Sequence, residues 1–255
     1  MIRRLDRDEL LALVDRRSGA VRAYLEWARE HDDEEESYRL GAQPDIPAAA
    51  EAAGMFPEQW WGFVVYTCFG AVRGTEVVAP RFQQPQPPPE AEAVLDGIDF
   101  PPRSLGGHRT RPGFRGAKRA LVSACADHEL LHDVLHSRDD FDSRYRRLGE
   151  ARMPEWGRTT CFDLLLRAGT LGVGGRRYGP EYAYFGDSTG PKAGFRQVFG
   201  VELADTASLD WAEALLRAWT EEWDAVAKRV GVAWEKPPLE PCDQENFLCI
   251  YHEGR

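Results

Sequence analysis

Apolar residues recur at helical spacing along nearly the whole chain. Leu5, Leu10, Leu13 and Val14 share one helix face. Val21–Ala28 forms a second amphipathic segment that runs into the acidic stretch HDDEEE, a solvated helix end or loop. Pro57 suits a helix start, and Trp60–Val72, WWGFVVYTCFGAV, reads as a buried helix. Only Glu76–Phe82 has the pattern of a short strand. Residues 83–90, QQPQPPPE, carry too many prolines for helix or a central strand and predict a stiff surface connection. Asp96–Pro112 is rich in glycine and proline and predicts a loop. Gly116–His136 predicts a long helix, and Pro154–Ala168 another, stopped by Gly169, Gly172, Gly174 and Gly175. Gly190–Phe199 predicts a short helix behind a turn. Ser208–Arg229 predicts a long one with Leu209, Ala212, Leu215, Leu216, Trp219, Trp223 and Val226 on one side, and Asp243–Tyr251 closes the chain. No internal repeat is visible. The expected fold class is mainly α: one helical domain over 1–255, or two lobes, 1–82 and 113–255, joined by the Pro/Gly-rich segment 83–112.

A chain of 255 residues can bury a full-sized core. Its longest apolar run spans 13 residues, short of the roughly 20 a bilayer-spanning helix needs. The first residues, MIRRLDRDELLALVDRR, are charged throughout and lack the apolar stretch of a signal peptide. No membrane partner and a cytoplasmic location are therefore expected. Five cysteines with no CxxC spacing point to a reduced protein without a disulfide framework or zinc ribbon. Composition leaves the oligomeric state open.

Charge adds more. The net charge of −10 argues against a generic nucleic-acid coat protein. The acids, however, sit at the ends: residues 1–60 carry 8 Arg against 14 acids, and residues 201–255 carry 5 Lys+Arg against 12. Between them, residues 103–119 carry 6 Lys+Arg and no acid, and residues 144–177 carry 8 Arg against 3 acids. This basic middle is either a cationic groove for phosphates or is neutralised within the molecule. The glycines and Pro112 among the cations of 103–119 favour an anion-facing loop.

Three segments carry candidate chemistry. His128-Glu129-Leu130-Leu131-His132 satisfies HExxH, in which two His bind zinc and the Glu acts as general base of a peptidase. His136 continues the stripe, and Glu150 or Glu155 would be the third ligand. Yet Ala117, Ala120, Leu121, Ala124, Leu131 and Leu135 place His128 in the middle of an apolar face, where a satisfied core histidine needs no metal. The metallopeptidase is thus an alternative, and no metal or other cofactor is expected. In the second segment, Asp187-Ser188-Thr189-Gly190 is turn chemistry, Pro191 suits a first helical position, and Lys192 falls in the first turn. Free N–H groups, a positive helix end and a lysine together favour an anion. In the third, Thr159, Asp163 and Arg167 recur every four residues on an otherwise apolar helix opened by Trp156 and Arg158. They are either an internal ion pair with threonine back-bonding or a pocket wall, with Arg158 and Arg167 for phosphates and Asp163 as acid/base.

GPKAGF followed by a helix resembles the glycine-rich hairpin of the helix-hairpin-helix DNA glycosylase superfamily. There backbone N–H groups face a DNA phosphate and, in bifunctional members, a lysine stands where Lys192 does. Asp210, 18 residues on, is similar to the aspartate of those enzymes, although an acid in the first turn of a helix capped by Ser208 is also favoured by the helix dipole. Thr189 departs from the apolar residue usual between the hairpin glycines. Together, WGRTTCFDLL, STGPKAGF and the terminal DQENFLC resemble the α-glutamyl/putrescinyl thymine pyrophosphorylase group, or amino acid:DNA transferases.

That resemblance implies a helical, glycosylase-like fold acting on a pyrophosphorylated 5-hydroxymethyluracil base in DNA, from which a small amine or amino acid displaces pyrophosphate. Such chemistry needs cations against the leaving group, for which Arg158, Arg167 and Lys192 are available, with Ser188, Thr189 and Gly190 as backbone phosphate contacts. It needs a carboxylate base, Asp163 or Asp210. It needs a flipped base held against aromatic rings, such as Trp156 and Tyr184. The alternatives are a non-catalytic DNA-binding module, a DNA N-glycosylase and the metallopeptidase.

Overall fold

The computed structural model describes residues 5–31, 60–70, 72–102, 104–105, 113–186 and 189–253. Most of HDDEEE, Pro57, Ser188 and the basic loop 106–112 lie outside them. The described chain is mainly helical and contains no strand. Its α-helices are α1 (Arg7–Arg16), α2 (Ser18–Glu30), α3 (Trp60–Phe69), α4 (Val72–Val78), α5 (Pro88–Asp96), α6 (Gly113–Ala126), α7 (His128–His136), α8 (Phe141–Ala151), α9 (Arg158–Leu171), α10 (Gly190–Phe199), α11 (Thr206–Glu221), α12 (Trp223–Val230) and α13 (Pro241–Glu253). Among the described residues, no helix is long and apolar enough to cross a membrane.

The chain divides into two compact units. One joins residues 1–39 to 181–255, so α1 and α2 pack with the C-terminal helices. The other spans residues 40–180. Boundaries at 82 and 113 are therefore not where this division falls.

In the discontinuous unit, α1 and α2 lay Leu10, Val14, Val21, Tyr24 and Leu25 against Phe199, Leu215, Trp219, Trp223 and Val226. Tyr24 and Phe199 each meet Trp219 edge-on, with ring centroids 5.8 and 5.1 Å apart. The closest packing is between α10 and α13. A Cβ on Gly194 would stand 1.9 Å from the Leu248 carbonyl oxygen, and one on Gly190 would stand 2.5 Å from Cys249 Sγ. The GPKAG run is therefore the first turns of a helix, and its two glycines, one turn apart, are where that helix meets α13. The turn chemistry ends at Thr189.

In the continuous unit, α3 is buried almost all round and packs on α6 and α9. Arg144 is wholly buried. Its guanidinium donates to the carbonyls of Asp139, Leu135 and Ser137 and lies 3.8 Å from the centre of the Tyr178 ring. A buried cation is tolerated because every face is occupied by carbonyl oxygen or ring.

Five elements differ from the periodicity. The strand expected at Glu76–Phe82 is the end of α4 and a 3-10 turn, Ala79–Arg81. Gly74, Thr75, Val78 and Phe82 are its buried positions, a helical spacing that overrides the β preference of valine. Pro88 and Pro89 open α5, where the missing N–H costs nothing. The helices expected at Gly116–His136 and Ser208–Arg229 are each two, broken at Asp127 and Glu222, neither break containing Gly or Pro. Finally, α9 passes through Gly169, which lies against the Tyr178 carbonyl, and stops at Gly172 in the left-handed conformation, φ 79°.

Replacing Gly194 by Ala should cost about 2–3 kcal/mol through overpacking on α13. Gly149→Ala, exposed on α8 with open space at its Cβ, should add about 0.5–1 kcal/mol. Urea unfolding measures both. A pH series should expose the cap of α11: the Ser208 N–H, then its hydroxyl, hold the Asp205 carboxyl below its ordinary value. The stability this lends is present above the usual carboxylate range and is lost as pH falls through the folded value, so Asp205→Asn should flatten that part of the profile.

Candidate functional site

The discontinuous unit holds a polar site at the start of α10. Gly190, Pro191 and Lys192 form its first turn, with Thr189 exposed at the N-cap. The turn has no acidic residue, and Thr189 makes no side-chain cap bond; the first-turn N–H groups of a helix have no partner within the helix itself. Lys192 is half-buried and makes no ion pair with any described residue.

Just before this helix start, the chain makes a strained turn. Tyr184 adopts φ 56°, a left-handed conformation unusual for an aromatic residue. The turn is held from below by Glu213 of α11. One carboxylate oxygen accepts the Ala183 N–H at 2.6 Å and the other the Phe185 N–H at 3.0 Å. Glu213 is only 8% exposed, so these bonds stabilise a charge that would otherwise be costly to bury. Phe185 meets Phe195 of α10 edge-on at 5.4 Å. Tyr184 itself is half-buried and stands edge-on to Tyr182, over which Arg217 places its guanidinium 5.9 Å from the ring centre. Glu213 and Phe185 thus fix where Tyr184 and the start of α10 stand.

Asp210 is exposed on α11. Asp205, not Ser208, caps that helix, the two forming a capping box. Asp210 is the fifth helical residue, beyond the first turn, and no ion pair joins it to Lys192.

The continuous unit holds the polar stripe of α9. Arg158 opens the helix behind Gly157, again with no acid or side-chain cap in the first turn. Asp163 and Arg167 pair at 3.4 Å, with side chains 25% and 11% exposed. From α3, the Thr67 hydroxyl accepts from Arg167 at 3.4 Å, and the Tyr66 ring lies 5.0 Å from the guanidinium. Two buried polar atoms here, Arg167 Nε and the Tyr66 hydroxyl, have no hydrogen-bond partner among the described residues. Burial raises the Tyr66 pKa against the opposing pull of Arg167, so the phenol keeps its proton and remains a donor. The Asp163–Arg167 ion pair of the stripe is present, and both polar contacts of Arg167 are long.

Trp156 is a correction. Its ring is buried, 6% exposed, and its indole N–H donates to the Ala120 carbonyl at 2.9 Å. It is a core residue and offers no face for stacking. Several cations of the basic middle are engaged within their own unit. Arg144 and Arg176 donate to the carbonyls of the 135–139 segment, Arg147 pairs with Asp139, and Arg167 pairs with Asp163. Within HELLH, His128 is half-buried with Nδ1 3.0 Å from the Cys125 carbonyl. Among the described residues, no three His, Cys, Asp or Glu side chains converge as a metal site. The five cysteines form no disulfide with one another.

Trp156, Arg158, Asp163 and Arg167 thus belong to one unit, and Tyr184, Thr189, Gly190, Lys192 and Asp210 to the other. Sequence reasoning missed Glu213, Arg217, Tyr66 and Thr67. A signal for Glu213 existed: it is a lone acid flanked by Ala212, Ala214, Leu215 and Leu216 on a buried helix face.

Glu213→Gln removes one of the two acceptors that hold the turn. It should lower stability by about 1–3 kcal/mol and speed amide exchange at Ala183 and Phe185, measurable by hydrogen exchange. Comparisons of the chain with protein-family models, with curated proteins and with solved structures find no match.

Proposed function

We propose that this protein is a DNA base-modifying transferase of the glycosylase-like kind, displacing pyrophosphate from pyrophosphorylated 5-hydroxymethyluracil with an amine. The observation that carries the proposal is the contact of α10 with α13. STGPKAGF and DQENFLC, two of the three segments that bear the family resemblance, lie more than 45 residues apart in the chain. They meet in the tightest helix pair of their unit, at Gly190 and Gly194. A shared packing constraint is a physical reason for two distant segments to carry one family's signature.

Electrostatics supports the same proposal. Lys192 stands in the first turn of α10, which has no acid and, among the described residues, no side-chain cap. A cation there is disfavoured by about 0.3–1 kcal/mol, a cost that an anion at that helix start would remove. Tyr184, on its fixed turn, supplies the ring for an extruded base. In the reaction the amine nitrogen bonds to the methylene carbon while the carbon–oxygen bond to pyrophosphate breaks. The electron pair leaves with pyrophosphate, and the nitrogen's surplus proton passes to a carboxylate, for which Asp210 is the candidate in the unit that holds Lys192 and Tyr184.

Incubation with an oligonucleotide carrying the pyrophosphorylated base and a pool of amines tests this, read as free pyrophosphate and as the mass of the product base. We expect release that depends on amine, and a drop of about 100-fold or more for Lys192→Ala. Duplex binding that weakens steeply with salt but never yields pyrophosphate would instead make the protein a binding module.

A further inference from the structure

The HELLH motif draws attention to His128 and His132, but the histidines that stand together are His132 and His136. Their rings stack with centroids 4.2 Å apart and planes 23° from parallel. Both are exposed, one turn apart on α7. The tautomer of each ring is set from behind. His136 Nδ1 donates to the His132 carbonyl at 2.9 Å, which leaves the lone pair on Nε2. His132 Nδ1 faces the Asp133 carboxylate at 3.7 Å, which favours the same choice. The Trp60 ring stands edge-on to both, 5.4 Å from His132 and 6.3 Å from His136, and narrows the rotamers they can adopt. Two imidazoles whose inner nitrogens are turned to oxygen atoms, leaving their outer nitrogens for a ligand, are the arrangement that metal-bound histidines show.

The geometry points to a two-histidine site at His132 and His136 for a divalent transition metal, with water filling the remaining positions. Ligand nitrogens bind such ions at about 2.0–2.1 Å, so cis ligands stand roughly 3 Å apart. Both rings must rotate out of their stack to bring the two in-plane lone pairs onto one ion, and their centroids already stand 4.2 Å apart. With only two protein ligands and open positions, the preference follows the general order for nitrogen donors: Cu2+ tightest, then Ni2+ and Zn2+. Ca2+ and Mg2+, which take oxygen ligands, are excluded. His128 takes no part. It is half-buried, its Nδ1 is turned to the Cys125 carbonyl, and its ring does not stack on His132. The inference is independent of the proposed transferase activity.

Titration calorimetry of the whole chain with Cu2+ and with Ni2+ tests it, beside the electron paramagnetic resonance of the Cu2+ complex. We expect one saturable ion per chain, two nitrogen ligands in the Cu2+ spectrum, and a loss of about tenfold or more in affinity for either His132→Gln or His136→Gln. His128→Gln should bind as the unaltered protein does. All three positions lie on a solvent-facing helix, and a matching thermal melt without metal verifies that each variant is folded. The site is refuted if the unaltered protein shows no saturable binding, if His136→Gln binds normally, or if His128→Gln weakens binding as much as His132→Gln.

Discussion

The contact of α10 on α13 at Gly190 and Gly194 is the constraint on which the discontinuous unit depends. With no Cβ at either position, the α10 backbone approaches Leu248 and Cys249 as closely as heavy atoms allow. That approach brings Phe195, Val198 and Phe199 into a core completed by Trp219 and by Tyr24 of α2. It also fixes where α10 begins. Phe185 packs on Phe195, Glu213 holds the N–H groups either side of Tyr184, and Lys192 follows in the first helical turn. A wider separation of the two helices would loosen the turn as well as the core.

Buried charge follows one rule throughout. Arg144 is enclosed by carbonyls and the Tyr178 ring, and Glu213 by two backbone N–H groups. In both, every strong hydrogen-bonding direction has a partner, and the charge acts as a fastener. Arg167 departs from this. Its ion pair and its threonine contact are both 3.4 Å long, and among the described residues neither its Nε nor the Tyr66 hydroxyl has a hydrogen-bond partner. A buried arginine held this loosely contributes less to the fold than one whose every donor is matched.

The helical class and most helix faces were legible in the sequence, because Leu10, Val14, Leu215, Leu216 and Trp219 recur at the spacing their burial requires. The breaks at Asp127 and Glu222 were not. No helix-breaking residue marks them, and each is set by how the flanking helices pack. The strand at 76–82 was misread because valine favours strands locally while the buried positions repeat with a helical period. At the site, Lys192 and the Asp163–Arg167 stripe were legible, since charged residues at fixed spacing announce themselves. Glu213 was hidden because the groups it holds are backbone amides 30 and 28 residues away, which no side-chain pattern reports. Trp156 was misassigned for the opposite reason: an indole beside an arginine looks the same in sequence whether its N–H meets a carbonyl or its face meets a ligand.

Gly190 and Gly194 also illustrate how one residue pattern serves two physical ends. Read as a loop, glycines about a proline and a lysine would expose amides to a phosphate. Read as a helix, the same glycines remove side chains from the face that meets α13, and the structure takes this second course. The two are not exclusive. Packing occupies the side of the helix that carries Gly190 and Gly194, whereas first-turn N–H groups point along the helix axis, away from a neighbour on its side. The same two glycines therefore set the position of α10 through its flank and leave the chemistry of its end to Thr189 and Lys192.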